Sequence, residues 1–77
     1  MVWFVVEVQS DGVTGSTIVN SYSTREEAES KFHLILSAAA VSSVVKHGAI
    51  LFSDNMDGIM TKMYEHPLKV VEETNEQ

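Results

Sequence analysis

One stretch, Ser23–Ser43 (STREEAESKFHLILSAAAVSS), sets most of what this chain can become, because no other segment is long and periodic enough for a long helix. Its start carries two overlapping capping signals, Ser23 with Glu26 and Thr24 with Glu27. Glu26, Glu27 and Glu29 fall where the positive end of a helix dipole favours negative charge. Ala28, Phe32, Ile35 and Ala39 recur at helical spacing and form one apolar stripe, which is expected to face a sheet. A second stripe runs through Leu34, Ala38 and Val41, and Leu36 and Ala40 narrow the gap between the two. The second half of the helix is therefore apolar nearly all round, and such a surface is normally covered on every side. This predicts a homo-oligomer, dimer or higher, with Leu34, Ala38 and Val41 at the interface. The competing reading tucks the helix end under loops of its own chain.

On either side of the helix the pattern changes to that of strands. Residues 2–9 (VWFVVEVQ) are β-branched and aromatic, with Val2, Phe4, Val6 and Val8 on one face and Trp3, Val5, Glu7 and Gln9 on the other. Both faces start apolar, which suits a central strand or one whose second face meets a partner. Ser10–Gly15 is turn chemistry built on Asp11-Gly12, and residues 16–22 return as the second strand of a hairpin. After the helix, Lys46-His47-Gly48 reads as the connection, with Gly48 free to turn left-handed. Residues 49–53 are a third strand, 54–58 a polar turn and 59–66 a fourth strand that Pro67 ends.

The predicted fold is α+β, in the order β-β-α-β-β. It is a mainly antiparallel four-stranded sheet with one long helix packed on one face. Residues 1–67 form a single domain, and 68–77 an acidic, flexible tail. The face turned from the helix is expected to hold some of Trp3, Val5, Val19, Leu51, Ile59 and Met63, a second candidate for association.

Composition removes several classes of function. A chain of 77 residues buries a modest core and gains from association. It has no cysteine, so disulfides, thiolate metal sites and cysteine nucleophiles are excluded, and a reducing cytoplasm fits. A net charge of −6 argues against general nucleic-acid binding, which needs a basic face. No segment approaches a membrane span, and the N-terminal apolar run is too short and lacks the basic start of a signal peptide.

The chemistry-bearing residues form no strong motif. His33, His47 and His66 match no local zinc pair, so no metal and no cofactor is expected. The sequence Asp54-Asn55-Met56-Asp57-Gly58 has the look of a calcium loop but lacks its length and terminal glutamate; it reads as a hairpin turn. Glu7 and Gln9 share a strand face where a carboxylate suits acid–base work, against the plainer reading of a solvated strand edge. No phosphate-binding loop, serine nucleophile elbow or dinucleotide fingerprint is present. The one constellation that suggests a ligand is His33, Ser37, Lys46, His47, Tyr64 and His66. Imidazoles, hydroxyls and an ammonium gathered from two chains suit an anionic small molecule such as a nucleotide. The plainer reading is unrelated surface polarity.

Glu7-Val8-Gln9, the run from Glu27 to His33, the run from Ala38 to Ser42, and His47, Ala49, Tyr64 and His66 together carry a resemblance. Over residues 2–66 the chain resembles a family of short uncharacterised proteins carried by phages and prophages of Gram-positive gut bacteria. That family has no established activity, so the resemblance transfers no catalytic residue. It implies a phage-type protein in the cytoplasm of a bacterial host, binding without catalysis and not an enzyme. The role implied first is to inhibit or sequester a component of host antiviral defence, either a host protein or a signalling nucleotide. The alternative is an accessory structural or assembly protein of the phage particle.

Overall fold

A computed structural model describes residues 1–67, so the expected acidic tail, 68–77, lies outside the described residues. The elements are β1 (Trp3–Ser10), β2 (Gly15–Tyr22), α1 (Arg25–Ala39), β3 (Lys46–Ser53) and β4 (Met60–Glu65). They build the expected α+β fold. One antiparallel sheet has the order β2-β1-β3-β4, and the helix packs against it. Among the described residues no helix is long and apolar enough to cross a membrane.

Of the two capping signals, the second is used. Thr24 is extended, and its hydroxyl accepts from the Glu27 N–H at 3.2 Å. Arg25 and Glu29 pair one turn apart at 2.6 Å, and the Arg25 guanidinium lies 4.9 Å from the centre of the Trp3 ring. The helix is shorter than expected: it ends at Ala39, and Val41 falls in the turn beyond. The stripe Ala28, Phe32, Ile35 and Ala39 is buried, and its first three residues meet Val5, Ala49 and Leu51 of the sheet. Each large side chain of that set contributes about 1.5–3 kcal/mol by leaving water.

The sheet differs from expectation in which face is inside. Trp3, Val5 and Leu51 turn toward the helix, with Val5 and Leu51 fully buried, while Phe4, Val6 and Val8 turn away. Ile59 precedes β4 and is exposed. Val19 and Met63 do lie on the outer face. Nor is the segment at Lys46 a connection. Strand β3 begins there, and Gly48 is an interior strand residue without a positive φ. A Cβ on Gly48 would overlap the Lys62 carbonyl oxygen and lie 2.8 Å from the Met63 Cα, so glycine is what lets β4 come close.

Both hairpin turns are fixed by side chains. The Asp11 carboxylate accepts the N–H groups of Thr14 (2.8 Å) and Val13 (2.9 Å), and these bonds hold its carboxyl below the usual range. In the second turn the buried Ser53 hydroxyl donates to the Asp57 carboxylate and accepts from the Asn55 N–H.

Candidate functional site

On the inner face, register fixes one polar group that sequence reasoning left unpartnered. Gln9 stands opposite His47, and Glu7 opposite Ala49, across the β1–β3 ladder. Glu7 Oε2 lies 2.7 Å from His47 Nε2 and 3.2 Å from Gln9 Nε2. Since β1 is paired on both sides, Glu7 is no solvated strand edge. Its side chain is 18 % exposed and that of His47 8 %. The carboxylate oxygen accepts, so His47 Nε2 donates. Nδ1 is buried and has no partner among the described residues. A histidine oriented by a carboxylate is the arrangement of a general base. Here the nitrogen that would meet a substrate is sealed from it, and the pair acts as a buried link between β1 and β3.

Tyr64 is His47's partner across β3–β4, and its ring stacks on His66 with centroids 6.4 Å apart and planes 6° from parallel. His66 Nε2 donates to the Ala39 carbonyl at 2.9 Å. The Ala39 carbonyl also accepts from the Ser42 N–H at 3.2 Å in the turn that closes the helix, so His66 adds a second donor to it from beyond β4. Lys62 lies 5.1 Å above the Tyr64 ring.

The six residues expected to form one ligand site therefore separate. His47, Tyr64 and His66 come together, and the ring nitrogens that His47 and His66 donate from are engaged within the chain. Lys46 alternates to the opposite face of the sheet, facing Glu65 and Ser10 in register. His33 and Ser37 are exposed on the helix, turned from the sheet. Within one chain these groups line no common cleft. The residues expected at an oligomer interface, Leu34, Ala38 and Val41, are all exposed, Leu34 by 63 % and Val41 by 85 %.

The outer face of the sheet is apolar. It carries Phe4, Val6 and Val8 from β1, Val19 from β2, Ile50 and Phe52 from β3 and Met63 from β4. Phe4 and Phe52 stack at 5.4 Å. Val19 is 57 % exposed, Met63 42 % and Ile50 36 %. A hollow of about 290 Å³ opens on this face, lined by Val8, Ile50, Thr61 and Met63 among others. Among the described residues the charged strand residues on this face are Lys46 and Glu65, which stand opposite each other. The acidic excess of the described chain lies elsewhere, on the helix, in the turns and at Glu7.

The fold and this surface define a class: a small two-layer α+β protein with one sheet face open. No protein-family model, curated protein or solved structure matches the chain.

Proposed function

We propose that this chain works by binding a protein through the open face of its sheet, and not by catalysis. The observation behind this is the apolar cluster of half-buried Phe4, Val6, Val8 and Phe52 with exposed Ile50 and Met63, its hollow between Val8 and Met63 and its balanced charge. Contiguous exposed apolar surface of this kind marks interaction sites. A concave apolar notch accepts a side chain from a partner, the arrangement of an interface anchor. The phage resemblance supplies the class of partner, a protein component of a bacterial host's antiviral defence, met in the host cytoplasm. A signalling nucleotide is the weaker candidate, because its recognition needs polar and cationic groups converging in one place.

The test is plaque formation on defended hosts that express the chain, compared with Ile50→Lys and Met63→Lys. Both positions are part-exposed, so the variants should keep the wild-type circular dichroism. The expected result is that wild type restores plaquing on at least one defended host and the variants do not. Variants as active as wild type would remove the open face from the function. A chain inert on every defended host but present in purified virions would assign it to the particle instead.

A further inference from the structure

The two edges of the sheet are unlike. Strand β4 holds Lys62 and Glu65 and is followed by Pro67, the residues natural sheets use to prevent pairing at an edge. Strand β2, GSTIVNSY, has no charge and no proline. It pairs one-to-one with β1 from Gly15 to Tyr22 with no bulge. It is exposed along nearly its whole length.

The direction of its backbone groups follows from the turn. Asp11 N–H bonds to the Thr14 carbonyl at 3.1 Å, so Asp11 and Thr14 are a hydrogen-bonded pair. Such pairs alternate along an antiparallel ladder. Ser16, Ile18, Asn20 and Tyr22 therefore bond inward to β1. Gly15, Thr17, Val19 and Ser21 point their N–H and C=O groups outward.

We infer that β2 is a self-pairing edge, joining two copies of this chain into one continuous eight-stranded antiparallel sheet across a two-fold axis. The occupant is a second copy because the strand suits itself. A chain of net charge −6 brings an uncharged strand to the contact, so no like charges meet there. A two-fold axis at Ile18 places Thr17 opposite Val19 of the second copy and Gly15 opposite its Ser21. All four outward residues of each strand are then used, in about eight hydrogen bonds. The same register sets Ile18 against Ile18 and Ser16 against Asn20, an apolar pair flanked by hydroxyl–amide pairs. Thr17, Val19 and Ser21 carry their side chains on the open face, so the two apolar faces merge into one broader surface. This goes beyond the binding role proposed above and stands or falls separately from it.

The test is sedimentation velocity over a concentration series, with amide exchange followed by NMR. Wild type should pass reversibly from one chain to two. In the dimer the amides of Thr17, Val19 and Ser21 should gain protection, while those of Ile18 and Asn20 are protected in both forms. Thr17→Pro removes an outward N–H and no bond to β1, and should sediment as one chain with unchanged circular dichroism. Val19→Lys, which sets two ammonium groups near the axis, should do the same and serves if the proline variant misfolds. Wild type that stays a single chain throughout, or edge variants that remain dimeric, would overturn the inference. So would a dimer abolished by Ile50→Lys but kept in Thr17→Pro, which would move the contact to the open face.

Discussion

Removing Glu7 is the sharpest probe of how the sheet is held together. In Glu7→Ala, His47 keeps its place but loses the acceptor 2.7 Å from Nε2. Its Nδ1 already lacks a partner, so the whole imidazole is left without hydrogen bonds in a site only 6 % exposed. A hydrogen bond to a charged group is worth about 1.5–3 kcal/mol net, and an orphaned buried donor costs about 1–3. These describe one loss seen from two sides and are not added. Glu7 is partly exposed, which screens its charge and argues against the larger values quoted for fully buried ion pairs. The expected cost is about 2 kcal/mol. Stabilities of about 0.05–0.15 kcal/mol per residue make that a large share for a chain of this length. At roughly 4–8 °C per kcal/mol for a small domain, the melting temperature should fall by about 8–16 °C. Glu7→Gln retains an acceptor oxygen and should lose about half as much. His47→Leu removes the group in need of a partner, so adding it to Glu7→Ala should recover about 1 kcal/mol or more.

Urea unfolding read by Trp3, the single tryptophan, and by circular dichroism measures this cycle. Protein concentration must be held fixed, since association shifts apparent stability. If Glu7→Ala costs less than about 0.5 kcal/mol, below the range expected for such a bond, the pair does not link the strands. Strictly additive effects in the double variant would show that the two side chains do not act on each other.

Two further outcomes follow from the backbone. Gly48→Ala should cost about 1–3 kcal/mol, because the new methyl meets the main chain of β4 and not a side chain that could swing aside; amide exchange across residues 60–65 should quicken, and unchanged protection there would refute the close approach. Asp11 has a folded-state pKa below its unfolded value, so its contribution to the first hairpin is full above about 3.8 and is lost as pH falls through the lower folded value. The Val13 and Thr14 amide shifts should titrate with a midpoint under 3.8, and a midpoint at or above it would show that the turn does not hold the carboxylate.

The helix was legible because its signal is local. Ala28, Phe32, Ile35 and Ala39 sit one turn apart in the chain, and the same spacing puts them together in space. Thr24 and Glu27 mark its start in the same way. The two hairpins were legible from Asp11-Gly12 and from the polar run at 54–58. What local reading missed depends on strands far apart in sequence. Glu7 looked solvated because its partner, His47, comes from the other side of the helix, across a ladder between non-consecutive strands. Gly48 looked like a turn because glycine usually is one. Its role is instead a close approach by β4, which sequence spacing does not reveal. The grouping of His33, Ser37 and Lys46 with the other candidates failed because a helix side and a strand alternation sent them to different surfaces.

The side of β1 that faces inward is the most instructive miss. Alternation argues for the Phe4–Val6–Val8 side, since its rival carries Glu7 and Gln9. The chain does the opposite and keeps the more polar side under the helix. Two features make this workable. The inner face of β3 offers Ala49, small enough for the helix stripe of Ala28, Phe32 and Ile35 to lie close. His47 meets Glu7, so the carboxylate goes in already paired. Strand β3 follows the same inversion, with Ile50 and Phe52 outside and His47 and Ser53 inside. On this face Phe4, Val6, Val8 and Phe52 are only half-buried and Ile50 is exposed, so the arrangement forgoes part of the about 1.5–3 kcal/mol that fully burying each of the larger side chains would bring. A sheet that turns its more apolar face outward on two central strands has kept that surface available for something else to cover. That is the physical reason to look for function on the open face and not at the buried histidine.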